Sequence, residues 1–253
     1  MAVDYSKAAR YAVYCQEIYK NFSAIQFGEL TQPPVLIDRQ STDTQCAILT
    51  IDEEMVIVFR GSESSLDWDT NFTTRQERAE FNREVIKDEI VDANEKEKVY
   101  PYEGESSSGA LMHRGFVTAY FSVRDEIHDY VKNHPGSTAI VTGHSLGGAL
   151  ATLCAVDIQY NFSKQLKAIA AYTFGSPKVG NDGFRESFNR RVPDSYRFVF
   201  GMDIVAELPR WWQGGYRHVD EEIRVGRRFS LNFLSARFRD HAIARYIEEL
   251  KST

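Results

Sequence analysis

Residues 139–149 have the sequence AIVTGHSLGGA, in which Ser145 has a glycine two positions before it and another two positions after it. The apolar residues before this stretch predict a buried β-strand, and the small apolar residues after it predict a buried helix. A serine on a sharp strand-to-helix turn needs glycine at both positions, because side chains there would collide with the neighbouring strand and helix. The pattern predicts a nucleophile elbow at Ser145, and the alternative is an ordinary glycine-rich turn.

Strand-like and helix-like segments alternate on both sides of this turn. Strands are predicted at 45–50, 55–60, 138–142, 168–174, 196–200 and 222–225, with Ile204-Val205 as a further short apolar segment. Helices are predicted at 8–22, 115–133, 146–160 and 241–251. This alternation indicates an α/β fold with a mostly parallel central sheet and helices on both faces. Without a repeat or a linker, we expect one domain over residues 1–253.

Composition excludes several classes of protein. The 253 residues include 30 Lys and Arg against 36 Asp and Glu, a net charge of −6 that argues against nucleic-acid binding. Three cysteines do not make a disulfide framework. No metal-ligand spacing or phosphate loop is present, so we expect no metal, no cofactor and no partner protein. The first residues lack a signal-peptide pattern, which favours a cytoplasmic location unless a leader has been removed.

Four further motifs occur in order along the chain. They are IVFRGS at 57–62, HRGF at 113–116, YTFGSPKVG at 172–180 and DIVAELP at 203–209. Together with the segment around Ser145, they make the chain resemble the class 3 lipases, the family of fungal-type triacylglycerol lipases. The resemblance runs from about residue 45 to about residue 245. It implies an α/β-hydrolase fold and hydrolysis of carboxylic esters.

A serine hydroxyl needs a base and an acid to become a strong nucleophile. An imidazole must take its proton, and a carboxylate must orient that imidazole. In α/β-hydrolases these groups follow the serine in the order acid, then histidine. Only His218 and His241 follow Ser145. The resemblance favours His241, at the start of the last predicted helix, and leaves His218 as the alternative base.

The predicted acid is Asp203. It follows the predicted strand 196–200, and the carboxyl end of a strand is where such sheets carry their chemistry. The resemblance indicates the same residue. The other candidates are predicted to be turn, cap or solvated residues, namely Asp182, Asp194 and Asp220. Asp203 and His241 are 38 positions apart, fewer than is usual in the fungal enzymes, which indicates a shortened loop at the rim of the site.

Acyl transfer also needs hydrogen-bond donors for the oxyanion. One predicted donor is the backbone N–H of Leu146, and the resemblance assigns the other to Ser62. The alternative is that Ser62 is a loop residue without a role in the reaction. The lid position of the family falls at about 63–73, where Leu66, Trp68 and Phe72 are candidates to cover an acyl site. The alternative for this segment is a loop that Trp68 anchors in the core.

A charged insertion at about 75–110 separates this lid region from His113. Residues 75–105 hold 10 acidic and 6 basic residues, so they contribute −4 of the net charge of −6. A solvated surface excursion and a larger cap over the acyl site are both compatible with this pattern.

These patterns predict a serine hydrolase of lipase type that acts on acylglycerols or related lipid esters through an acyl-enzyme. Its expected partners are the ester substrate and, transiently, a lipid–water interface. Two alternatives on the same scaffold are a phospholipase A1 or galactolipase and a feruloyl-type esterase. A third is a lipase-like signalling module without catalysis, against which the retained Ser145, Asp203, His241 and Ser62 argue.

Overall fold

The computed structural model describes residues 3–28, 30–61, 110, 112–209, 215–227, 237 and 239–253. These residues form a seven-stranded sheet and five α-helices. The strands are β1 (Val35–Arg39), β2 (Thr44–Ile51), β3 (Glu54–Phe59), β4 (Thr138–His144), β5 (Ala168–Phe174), β6 (Ser195–Phe200) and β7 (Glu222–Val225). The helices are α1 (Tyr5–Glu17), α2 (Arg114–Lys132), α3 (Leu146–Phe162), α4 (Asp182–Arg191) and α5 (Ile243–Ser252).

The strands lie in the sheet in the order of the sequence, from β1 to β7. The pairs β1–β2 and β2–β3 are antiparallel, and the four pairings from β3 to β7 are parallel. β2 and β3 therefore form a hairpin, and the prediction of a mostly parallel sheet is confirmed. Parallel strands need crossover connections, and α2, α3 and α4 supply those between β3 and β6.

Helices cover both faces of the sheet, as predicted. Successive residues of a strand point to opposite faces, so each central strand contributes to two cores. Cys46 and Ile48 of β2 belong to the core that contains side chains of α2, α3 and α4. Ala47 and Leu49 of the same strand belong to the core that contains side chains of α1 and α5.

The uncharged run from 137 to 156 forms most of β4 and α3, and nearly all of α3 is buried. The first charged residue after it, Asp157, is fully buried. Its Oδ2 lies 2.6 Å from His128 Nε2 and 2.8 Å from Arg124 Nε. The Tyr120 hydroxyl and the Asn161 amide also donate to this carboxylate. A buried charge requires such partners, so this network makes the charge of Asp157 compatible with the core.

Three segments differ from the predictions. The edge strand β1 and the helix α4 were not expected, because each has only a few inward-facing apolar residues in a polar sequence. Ile204-Val205 was expected to extend the strand pattern, but Val205–Glu207 is a 3-10 helix. The predicted lid region 63–73 and the insertion 75–110 lie outside the described residues, apart from Ala110. No helix in the described ranges is both long and apolar enough to cross a membrane.

Candidate active site

Ser145 occupies a strained turn between β4, which ends at His144, and α3, which begins at Leu146. Its backbone has φ of 59° and ψ of −131°, in a region that residues with a side chain rarely adopt. Its N–H donates to the carbonyl oxygen of Phe174 at 3.0 Å, and its own carbonyl accepts from the N–H of Gly148 at 2.9 Å. The strand–turn–helix context that the elbow motif requires is therefore present.

The two glycines that flank Ser145 lie where no side chain fits. A Cβ on Gly143 would be 2.1 Å from the carbonyl oxygen of Gly147, at the start of α3. A Cβ on Gly147 would be 2.3 Å from the carbonyl oxygen of Phe59, at the end of β3. A side chain at Gly143 would therefore collide with the following helix, and a side chain at Gly147 would collide with the neighbouring strand.

Asp203 and His241 form the second part of the site. His241 Nδ1 lies 2.8 Å from Oδ2 and 3.0 Å from Oδ1 of Asp203. Both side chains are almost completely buried. Since an ionised carboxylate can only accept hydrogen bonds, the proton of the neutral imidazole lies on Nδ1 and its basic lone pair on Nε2.

Further donors stabilise the ionised form of Asp203. The N–H of Val205 lies 2.9 Å from Oδ1, and the hydroxyl of Tyr246 donates to Oδ2. Burial raises the pKa of Asp203, but the attraction of His241 and the hydrogen bonds from His241 and Tyr246 outweigh it and leave that pKa below its ordinary value. The sequence analysis missed Tyr246, although a tyrosine on the inner face of an amphipathic helix needs a partner for its hydroxyl.

The elbow and the Asp203–His241 pair meet at the carboxyl end of β5. Ser145 is hydrogen-bonded to Phe174, the last residue of this strand. At the next residue, Gly175, an added Cβ would lie 2.4 Å from Oδ2 of Asp203 and 3.0 Å from Nδ1 of His241. The backbone of Ser145 and the Asp203–His241 pair therefore both lie next to the end of β5, at Phe174 and Gly175.

His144 has a place in the site that the sequence did not indicate. Its ring is buried against that of His241, with the two ring centroids 4.5 Å apart. Its Nε2 lies 2.7 Å from the carbonyl oxygen of His241, and its Nδ1 lies 2.9 Å from the hydroxyl of Tyr19. No local pattern in the sequence predicts these contacts, because the partners are far apart along the chain.

His218, the alternative base, lies in a different environment. Its Nε2 donates to the backbone carbonyl of Ala206. Burial and the positive charges of Arg197 and Lys178 lower the pKa of His218 to about 3, against a hydrogen bond to Ala206 that raises it. Since Asp203 is hydrogen-bonded to His241, the geometry favours His241 as the base.

The backbone N–H of Leu146, the predicted oxyanion donor, lies in the first turn of α3. Leu146 is the first residue of this helix, and the first N–H groups of a helix have no partner within it. Gly61, the last described residue of the IVFRGS motif, lies close enough to the elbow that an added Cβ would be 2.8 Å from the carbonyl oxygen of His144. Ser62 and the lid candidates Leu66, Trp68 and Phe72 lie outside the described residues.

Within the part of the chain that the structure describes, no group of three or more His, Cys, Asp or Glu side chains is arranged to hold a metal ion. The groups that do converge are a serine at a strained turn, a buried carboxylate and an imidazole in a defined tautomer. This combination of residue types is the one that serine hydrolases use for acyl transfer.

Comparison with known proteins is consistent with this chemistry. The Secreted mono- and diacylglycerol lipase 1 of Fusarium solani is 31% identical over 174 residues, which are 67% of this chain and 43% of that relative. The chloroplastic Phospholipase A(1) DAD1 of Arabidopsis thaliana is 30% identical over 166 residues, which are 62% of this chain and 34% of that relative. The chain thus spans less than half the length of either relative.

Solved structures agree with the fold. The structure of a triacylglycerol lipase whose catalytic centre is formed by a serine protease triad superposes with a TM-score of 0.63 and 27% identity. The match covers 87% of this chain and 79% of that one. The family model of Lipase (class 3) matches residues 56–212. Because this match includes more than half of the chain, the chain belongs to the class 3 lipase family.

Proposed function

We propose that this protein hydrolyses carboxylic esters of lipids through a covalent acyl-enzyme. The observation that carries the proposal is the hydrogen-bonded pair of Asp203 and His241 beside the strained turn of Ser145. A serine on a strained turn, together with an imidazole whose basic nitrogen is Nε2 at the end of the same strand, supports the roles of nucleophile and general base. The names of the lipase relatives support the same activity.

In the first step, Nε2 of His241 takes the proton of the Ser145 hydroxyl as its oxygen attacks the ester carbonyl carbon. Asp203 stabilises the imidazolium that forms, because its carboxylate is held in the ionised state by three donors. The imidazolium then gives its proton to the departing alcohol, which leaves the acyl group on Ser145. Water, activated by the same nitrogen, cleaves the acyl-enzyme and restores the free hydroxyl.

The negative charge on the ester oxygen needs donors during both steps. We assign this role to the backbone N–H of Leu146 and to Ser62. The N-terminus of α3 supports the first assignment, because free N–H groups and the positive end of the helix dipole favour an anion there. The motif that ends at Ser62 supports the second.

The substrate class that we propose is a mono-, di- or triacylglycerol. The Fusarium solani relative is named for mono- and diacylglycerols, and the solved structure is of a triacylglycerol lipase. A second candidate is phospholipid cleavage of the A1 type, which the Arabidopsis thaliana relative favours. A signalling module without catalysis is disfavoured by the retained pair of Asp203 and His241.

We propose transient contact with a lipid–water interface, with Leu66, Trp68 and Phe72 as the candidate contact residues. The expectation of a cytoplasmic location gains no support from the relatives, one of which is named as a secreted enzyme.

An active-site probe tests the proposed chemistry. A fluorophosphonate should label the wild-type protein and fail to label Ser145→Ala, because it reacts only with an activated serine. Ser187→Ala is the matched control, since it removes another buried serine, in α4, and should be labelled like wild type. Equal labelling of Ser145→Ala would exclude Ser145 as the nucleophile.

A substrate series separates the two candidate classes. Acylglycerols and phosphatidylcholines of increasing chain length should be assayed below and above the concentration at which they form micelles. We expect faster hydrolysis of acylglycerols, with a rise in rate when micelles form if the lid region contacts lipid. Faster release of the sn-1 acyl chain of phosphatidylcholine would favour the phospholipase assignment.

A further inference from the structure

The ring of His144 joins two parts of the chain that are distant in the sequence. On one side its Nε2 lies 2.7 Å from the backbone carbonyl oxygen of His241, and on the other its Nδ1 lies 2.9 Å from the hydroxyl of Tyr19. Tyr19 comes two positions after the end of α1, whereas His241 comes two positions before the start of α5. The N-terminal segment is therefore hydrogen-bonded, through one imidazole, to the backbone of the proposed base.

The direction of both hydrogen bonds is determined by the acceptor at His241. A carbonyl oxygen cannot donate, so Nε2 of His144 carries the proton and Nδ1 carries the lone pair. The hydroxyl of Tyr19 must then be the donor to Nδ1. Burial, followed by the proximity of His241, lowers the pKa of His144 to about 3, although the hydrogen bond to His241 raises it. The ring is therefore neutral at neutral pH and acts as one donor and one acceptor.

Tyr19 also lies against the strand end that leads to Ser62. An added Cβ on Gly61 would be 2.1 Å from the hydroxyl oxygen of Tyr19, and the guanidinium carbon of Arg60 lies 6.0 Å from the centre of the Tyr19 ring. The hydroxyl of Tyr19 therefore lies next to Gly61, which precedes the proposed oxyanion donor, and next to His144, which precedes the proposed nucleophile.

The backbone of His241 needs an anchor of its own. Asp203 orients the side chain of His241 but does not hold its main chain, and α5 begins only at Ile243. On one side the carboxylate of Asp240 accepts from the N–H of Met202 at 2.9 Å, which ties residue 240 to the strand end next to Asp203. On the other side, the hydrogen bond from His144 supplies the second anchor.

We infer that Tyr19 and His144 are positioning residues of this site: Tyr19 orients His144, and His144 holds the backbone of His241 so that its Nε2 meets the hydroxyl of Ser145. The inference rests on the proposed function. It extends the site to Tyr19, which lies outside the 56–212 segment that the family model matches. A displacement of a general base by a fraction of an ångström lowers the rate of the chemical step more than it lowers substrate binding.

Kinetics of three variants test the inference. Tyr19→Phe and His144→Phe should each lower kcat for a short, water-soluble ester by about 10- to 100-fold, with KM changed by less than about twofold. His144→Gln, whose amide can donate to the carbonyl of His241, should recover part of the loss. Tyr11→Phe is the matched control, because it removes another buried tyrosine hydroxyl of the same segment, bonded to Glu54, and should keep the wild-type kcat.

The double variant shows whether Tyr19 acts through His144. If it does, Tyr19→Phe should cause no further loss of kcat in a protein that already carries His144→Phe. A loss of kcat in the double variant that equals the product of the two single losses would contradict the inference. So would a wild-type kcat in Tyr19→Phe, or an equal loss in Tyr11→Phe.

A spectroscopic measurement on the wild-type protein reports the tautomer of His144 directly. The ¹⁵N shifts of His144, assigned by their absence in His144→Gln, should report a neutral ring with the proton on Nε2 at pH 6. A proton on Nδ1, or a doubly protonated ring at this pH, would overturn the proposed hydrogen-bond directions. Failure of the proposed function is recognised separately, because the fluorophosphonate would then leave the wild type unlabelled or would label Ser145→Ala equally.

Discussion

The imidazole of His241 and the carboxylate of Asp203 share a bifurcated, three-centre hydrogen bond, with Nδ1 at 2.8 Å from Oδ2 and 3.0 Å from Oδ1. Nearly equal distances place the N–H between both oxygens, so the plane of the ring is restrained as well as its direction. Because both groups are buried, water does not compete for this bond. The plane and direction of the His241 ring are therefore restrained by a contact between two distant positions of the chain.

Removal of the charge of Asp203 should nearly abolish catalysis. In Asp203→Asn the amide can donate to Nδ1 and stabilise the wrong tautomer of His241, so kcat should fall by about 10⁴-fold. Steady-state hydrolysis of a short soluble ester measures this change. Asp182→Asn, at the exposed start of α4, is the control and should keep wild-type activity. Loss of less than about tenfold in Asp203→Asn would argue against Asp203 as the acid.

Separate substitution of the two candidate bases should distinguish them. His241→Gln should lower kcat about as much as Ser145→Ala does, because residues that act as one unit are not additive. His218→Gln changes a ring that is bonded to Ala206 and not to Asp203, and should have a much smaller effect on kcat. The same ester assay, with folding checked by circular dichroism, measures both variants. A larger loss in His218→Gln would reverse the assignment.

The buried charge of Asp157 should contribute to stability and not to chemistry. Asp157→Asn leaves the guanidinium of Arg124 without its buried counter-charge, and the free energy of unfolding should fall by about 3 kcal/mol. Urea unfolding followed by tryptophan fluorescence measures this change. Asp129→Asn, which breaks an exposed pair with Lys132, should leave stability almost unchanged. A fully stable Asp157→Asn would show that the network is dispensable.

Stability should fall as the pH is lowered from 6.5 towards 3. His144 and His218 have their pKa values lowered to about 3, from 6.5. Below pH 6.5 the unfolded chain binds protons that the folded chain does not, so each histidine contributes a slope of up to about 1.4 kcal/mol per pH unit. The lowered pKa values of Asp157 and Asp203 matter only below their ordinary value of 3.8.

Urea unfolding at pH 7, 6 and 5 measures this slope. In His144→Gln the slope of the unfolding free energy with pH should be smaller by the contribution of one histidine, since glutamine does not titrate. An unfolding free energy that is the same at pH 5 and pH 7 would show that neither ring is held neutral.

Segments with a strong local pattern were predicted well. The strand β5 has the predicted bounds, Ala168–Phe174, and α3 begins at the predicted residue, Leu146. Both are nearly continuous apolar runs, bounded by glycine or polar residues, so the local sequence is enough to predict that they are buried. The elbow was predicted for the related reason that only a few backbone geometries tolerate a serine between two obligatory glycines.

Segments with a weak local pattern were missed. The edge strand β1 buries only Ile37, and its pairing with β2 depends on hydrogen bonds that any backbone can make. The helix α4 buries only three side chains, namely Phe184, Ser187 and Phe188. The structure of both β1 and α4 depends on the element that each packs against, and a single sequence does not show which element that will be.

The sequence by itself determined which chemical groups this protein has and their order along the chain: the elbow at Ser145, then Asp203, then two histidines. The tertiary structure decided which histidine meets the acid, because His241 and Asp203 are 38 positions apart and a hydrogen bond is formed only within about 3 Å. It also decided that Tyr19 reaches His144, which is 125 positions away. Local sequence determines turns and strands through short-range sterics, whereas contacts between distant side chains follow from how β3, β4 and β5 align their carboxyl ends in one sheet.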